Sequence, residues 1–444
     1  MIKVDTDKVA NYARIRNGKE DKLVWISSPM PLDIGFNAMQ KGFEDAKDMQ
    51  SVSLTANQFK QFFVTIGVPE KQAPGVYSGS ITVYADGKQA AQIPLKLNVL
   101  PFSLPLPMTY QNLDMPVLCG VMGHFSWNNC RNIYKDEKLA ETKYREMLQN
   151  IKNHNLLHPH VDQTEETIAL VKELGFPTDG PWFGGTPIPW VAHNFGGKLS
   201  FDEKMMLKNS AKQLAEKYQK LLGHTKDVLF SYGDEQGAGF VVCHRIFHQY
   251  FEEYGFRIGC AGHSSLFYKG AYAYGFHPMG GEPDAKERIQ RWTDMGDKYV
   301  GFYASQHTGS ENPAFIRRQN GMLGYMNGLN MIYNYEFATG PWNDLNSVVY
   351  KPMVIAYRNY GGLVDTLQWE GFREAVDDLR YATLLQMEIR DCLATGNVLC
   401  RQAAQKALMF FAVLNPDDMD LDAVRAEMVS YILKLRAARE SLGK

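Results

Sequence analysis

Val228-Leu229-Phe230-Ser231-Tyr232-Gly233-Asp234-Glu235-Gln236 is an apolar run that ends in two adjacent carboxylates. The apolar part is too short for a helix and follows a helical segment at Glu203–Leu222, so it reads as a buried strand. The same alternation continues on both sides. Strands are expected at Met115–Gly120, Leu156–Val161, Ile258–Ala261, Ala271–Phe276, Tyr299–Tyr303 and Met331–Tyr335, with helices at Glu141–His154 and Thr164–Leu174. Repeated strand–helix alternation implies a parallel sheet. Over about 250 residues its expected form is a (β/α)8 TIM-like barrel, here spanning residues 108–384. A further strand near Phe176–Trp182 is poorly marked, so the count of eight is an inference. A doubly wound open sheet is the alternative, although no GxGxxG follows a strand.

The first hundred residues read as β structure. Val64, Ile66 and Val68 alternate with polar or small residues, as do Ile81 and Val83. Asp86-Gly87 is a hairpin signal, and Ile93, Leu95, Leu97 and Val99 return at period two. The pattern predicts a β-sandwich with one buried face. Leu100-Pro101-Phe102-Ser103-Leu104-Pro105-Leu106-Pro107 forbids regular helix and reads as a stiff linker, which closes a first domain at 1–107. The last segment, 385–444, reads as helical, with Val424, Met428, Ile432 and Leu435 on one face.

The 47 basic and 49 acidic residues leave a net charge of -2, which argues against a nucleic-acid or anionic-membrane partner. No apolar run approaches the ~20 residues of a membrane span. Met1-Ile2-Lys3-Val4-Asp5 opens the chain without an apolar leader, which fits either a cytosolic protein or one whose leader this chain lacks. The six cysteines show no CxxC spacing and read as buried thiols. Neither a GxSxG elbow nor a phosphate-binding GxxxxGK[ST] loop is present.

Asp234 and Glu235 are the leading catalytic candidates. Ligands of parallel α/β sheets bind beyond the carboxyl ends of the strands, where this pair stands. Adjacent carboxyls oppose each other's ionisation, and a carboxylic acid that keeps its proton is what glycoside cleavage needs at the leaving oxygen. Most Asp-Glu pairs are simply solvated surface acids, so the strand context carries the weight. A second constellation follows Met331–Tyr335. Tyr333, Tyr335 and Trp342 are candidates to wall a sugar subsite, and core packing explains each ring equally well. Glu336 is a candidate nucleophile, and His277 a candidate substrate contact. His244 and His248 are four apart, but the glutamate of an HExxH motif is missing, so no metal is expected.

Three segments together resemble glycoside hydrolase family 123 and its relatives. They are Gly67–Glu70 with Ala73–Val83, then Tyr232-Gly233-Asp234-Glu235, then Gly371–Tyr381. Ala375 stands where that family typically has glycine, Tyr381 falls later than usual, and Gln236 replaces a frequent proline. The resemblance implies β-N-acetylgalactosaminidase-like hydrolysis of 2-acetamido sugars with substrate assistance. In it, Glu235 is the general acid/base, Asp234 orients the acetamide and tyrosines near the pocket hold its carbonyl; Tyr333 and Tyr335 are the candidates for these by position. It implies no metal or organic cofactor, an oligosaccharide or glycoconjugate substrate, and export to the periplasm or cell surface. Two other readings stay open. One is a retaining glycosidase with Glu235 as acid/base and Glu336 as nucleophile; the other is a non-catalytic glycan-binding protein.

Overall fold

The computed structural model describes residues 11–17, 20–26, 51–59, 62–110, 112–123, 125–184, 199–231, 248–260, 271–274, 285–294, 299–304, 313–338, 354–358, 363–415 and 420–443. The chain divides into two compact units, 51–105 and the remainder.

In the smaller unit, β3 (Gly75–Ala85) and β4 (Lys88–Val99) form an antiparallel hairpin around the Asp86-Gly87 turn. Both turn residues adopt positive φ, 51° and 75°, as a tight hairpin of this kind requires. Among the described residues the expected sandwich is not formed, because β3 and β4 pair only with each other. Val64, Ile66 and Val68 lie outside any strand, and Val76, Val83 and Ile93 are exposed. Period-two alternation specifies a strand with an apolar face; it does not supply the second sheet that would cover it.

The larger unit carries a short hairpin of β1 (Asn11–Asn17) and β2 (Glu20–Ile26). It also carries a seven-stranded parallel sheet made of β5 (Leu118–Met122), β6 (Trp182–Phe183), β7 (Val228–Ser231), β8 (Arg257–Cys260), β9 (Ala271–Tyr274), β10 (Val300–Ala304) and β11 (Met331–Tyr335). The order is β5-β11-β10-β9-β8-β7-β6. A last hairpin joins β12 (Ala356–Arg358) to β13 (Leu363–Asp365). Helices Glu137–Asn153, Glu165–Glu173 and Phe201–Leu222 separate the early strands. Ser200 and Glu203 start the last of these with a reciprocal capping box. No described helix is long and apolar enough to cross a membrane.

The expected (β/α)8 barrel is therefore corrected to an open sheet, and the reason lies in the segment 156–161. The amides of His158 and His160 donate to the carbonyls of Cys119 and Val121 on β5. Alternate residues of an extended chain point their amides the other way, toward β6. The central one is Pro159, which has no N–H. β6 offers only two residues in return. Among the described residues the gap is bridged by a side chain: the Gln163 amide donates to Val161 O at 2.5 Å and to Phe183 O at 3.1 Å.

The sheet nevertheless curls hard. Leu118, Phe183, Leu229, Tyr303, Met331 and Tyr333 share one buried cluster, although Phe183 and Tyr333 stand near opposite ends of the strand order. Their rings lie 5.6 Å apart. Gly120 makes the approach at β5 possible, since a Cβ there would lie 2.1 Å from His158 O and 2.6 Å from the Tyr333 ring.

The C-terminal helices Leu367–Ala394, Val398–Val413 and Leu421–Glu440 follow the sheet. Val424, Met428, Ile432 and Leu435 are buried along one face of the last. A buried ion network ties the first and third helices to the helix Pro313–Arg318. Asp378, 1% exposed, takes Arg317 Nε at 2.8 Å and Arg425 Nε at 2.7 Å, and Arg425 also reaches Glu374. Removing one partner of such a network leaves uncompensated buried charge. Asp378→Ala is expected to lower unfolding stability by about 3–5 kcal/mol. Denaturant titration of the two proteins measures this.

Candidate functional site

In a parallel sheet every strand leaves by the same edge. β7 ends at Ser231, three residues before Asp234, and β11 ends at Tyr335, directly before Glu336. Leu229 of β7 and Tyr333 of β11 lie in the same buried cluster, so the curl draws these two strands together. Asp234, Glu235, His277 and Trp342 themselves fall outside the described residues, as does His244.

The described candidates sit as follows. Tyr333 is fully buried within the core cluster, against Phe183. Burial pushes its phenol far above the usual tyrosine range, so it stays protonated. Tyr335 and Glu336 are half-buried at the strand end. The main chain around Glu336 is pinned on both sides: its carbonyl accepts from Ile355 N at 3.2 Å, and Phe337 N donates to Met122 O at 2.8 Å. Phe337 is buried between Phe125, at 5.4 Å between ring centres, and Trp369, at 5.3 Å. This edge can therefore hold a carboxylate on a backbone anchored to β5 and to the segment before β12.

Behind Trp369 lies a group that local spacing did not reveal. His154, Asp365 and Glu370 place one ligand atom each within 4.8 Å of one another. His154 follows one helix, while the two acids flank the start of another some two hundred residues later. Burial pushes the Asp365 carboxyl above its ordinary range, and His154 beside it acts in the opposite direction. The buried Cys119 thiol is pushed up to about 12 by loss of solvent, which makes it a packing group and not a nucleophile.

His158, in the segment paired with β5, carries a buried Nδ1 without a hydrogen bond. Burial holds its imidazole down, at about 4.

No family model matches this chain, and no curated protein matches it either.

His158 gives a direct test of the packing beside β5. Its folded value lies below the 6.5 of a free histidine. Between those values the unfolded chain binds a proton that the folded chain does not, so stability falls as pH drops from about 6.5 to about 4. The loss is expected to be on the order of 1–3 kcal/mol. His158→Gln is expected to flatten that part of the profile, read as Tm at pH 7, 5 and 4.

Proposed function

We propose that the chain is a glycoside hydrolase acting on 2-acetamido sugars, with Glu235 as general acid/base and Asp234 orienting the acetamide. The observation that carries this reading is the placement of β7. It is an interior strand of the parallel sheet, flanked by β6 and β8, with Val228, Leu229 and Phe230 wholly buried. β7 ends at Ser231, on the edge where parallel α/β sheets bind ligands whether or not the sheet closes, and the Asp-Glu pair follows three residues later in the sequence. The order of the three family 123-like segments along the chain supports the same reading.

The chemistry follows from the residue types. Glu235 donates its proton to the leaving oxygen while the substrate's acetamide oxygen attacks the anomeric carbon, giving an oxazolinium ion and the free alcohol. Asp234 stabilises the positive charge developing on the acetamide nitrogen. Glu235 then takes a proton from the water that opens the ring, which regenerates both groups. No side-chain nucleophile is required. The anchored position of Glu336 on the same edge favours one second reading, a covalent glycosyl-enzyme intermediate on Glu336, which needs the two carboxylates about 5 Å apart.

Turnover of aryl 2-acetamido-glycosides is expected to fall by at least about 100-fold in Glu235→Gln, as loss of acid–base catalysis does. A thiazoline that mimics the oxazolinium ion is expected to inhibit tightly. Asp234→Asn is expected to lose activity as well, with weakened thiazoline binding. Hydrolysis confined to sugars without the acetamide, together with labelling of Glu336 by a fluorosugar, would replace this reading with the second one.

A further inference from the structure

The His154–Asp365–Glu370 group takes no part in the proposed hydrolysis. Nε2 of His154 lies 3.9 Å from Asp365 Oδ2 and 3.8 Å from Glu370 Oε1. The imidazole side chain is only 6% exposed, and Nε2 has no hydrogen-bond partner.

The second heteroatom of each group is already committed. His154 Nδ1 lies 2.8 Å from the carbonyl of Asn150. An N–H satisfies that carbonyl, so Nδ1 carries a proton, and in the neutral ring Nε2 presents a lone pair. Asp365 Oδ1 accepts from Asn150 Nδ2 at 2.9 Å, and Glu370 Oε2 accepts from Arg373 Nε at 2.8 Å. Asn150 is itself fixed by Trp369, whose Nε1 donates to its Oδ1 at 2.8 Å. The Trp369 ring stacks on His154 with centres 4.4 Å apart. This is the outer layer of hydrogen bonds that orients metal ligands and sets the imidazole tautomer.

With the imidazole neutral, three lone-pair faces converge with no hydrogen between them. A protonated imidazole does not account for the spacing. Its bond to a carboxylate is about 2.7–2.9 Å, whereas both separations here are longer and nearly equal. A shared cation does account for it. Zinc bonds of about 2.0–2.2 Å at tetrahedral angles put ligand atoms roughly 3.4 Å apart, a closure of about 0.5 Å or less for the two His154 separations and of no more than about 1.4 Å for the carboxylate pair, which lies within 4.8 Å. Charge agrees too, because Arg373 offsets only one of the two carboxylates.

We propose that His154, Asp365 and Glu370 bind a divalent transition-metal cation of the zinc class. An imidazole with two carboxylate oxygens suits zinc better than the all-oxygen sets of calcium and magnesium. Asp365, 34% exposed, leaves the ion a path from solvent and room for a water as fourth ligand. The ion clamps the end of helix Glu137–Asn153 to β13 and to the first turn of helix Leu367–Ala394. Its role is structural, and it does not depend on the glycosidase reading.

The test uses the full chain, stripped with EDTA and titrated with Zn2+ by calorimetry. One ion per chain is expected, and the Tm of the stripped protein rises by about 3 °C or more at saturating zinc. Glu370→Gln and His154→Gln are each expected to weaken binding by about 100-fold or more and to abolish the Tm shift. If His154→Gln does not fold, Asp365→Asn, at the exposed margin of the site, takes its place. Absence of saturable zinc uptake by the parent chain overturns the proposal. So does uptake and a Tm shift left intact in the folded variants, which would place the metal on other histidines.

Discussion

A seven-stranded parallel sheet left flat would expose two rows of unpaired backbone groups and both faces of its apolar strands. Here side chains from near its two ends pack on each other instead. Phe183 from β6 meets Tyr333 from β11, and Leu118, Leu229, Tyr303 and Met331 fill the space around them. Burial of such side chains contributes roughly 1.5–3 kcal/mol each, before the entropy of ordering them is subtracted. The curl and the convergence of strand ends depend on this cluster. A bulky residue at position 120 would undo it, because β5 reaches the neighbouring segment only through the missing Cβ of Gly120.

Much of this was legible in the residues themselves. The strand at Val228–Ser231 and the helix at Phe201–Leu222 follow from apolar run length, and the buried face of the last helix follows from its period. Closure was not legible in the same way. Whether a parallel sheet shuts depends on a few backbone donors at one seam, and Pro159 removes the central one. A run such as Leu156–Val161 looks like any other strand when only its apolar content is weighed. The sandwich expectation failed for a related reason: alternation reports a face, while the partner of that face is a tertiary fact.

The candidate site divides along the same line. Glu336 stands out in the sequence because it follows an apolar strand directly, and Asp234 and Glu235 share that signal. His154, Asp365 and Glu370 could not be found, because nothing in their spacing along the chain connects them. Asp365 and Glu370 read as ordinary acids at a helix start, where negative charge favours the helix dipole. The histidines with suggestive spacing, His244 and His248, drew attention instead. A group assembled from segments some two hundred residues apart carries no local pattern; it emerges only when packing brings them together.

Trp369 joins the two halves of the molecule's chemistry. One side of its ring stacks on His154, and it also packs against Phe337, the residue after Glu336. Thr366 caps its helix and, through its hydroxyl, holds Ile355 O at 2.7 Å, while Ile355 N holds Glu336 O. The start of helix Leu367–Ala394 therefore sets the backbone of Glu336 through one short chain of contacts and orients His154 through another. The far end of the relay is fixed as well. Asp378, further along the same helix, is locked by Arg317 and Arg425. A helix pinned at both places cannot shift along its axis without breaking buried charge pairs, and such breaks are among the costliest in a folded chain. The position of Glu336 is thus fixed less by its own strand than by a helix that begins thirty residues later.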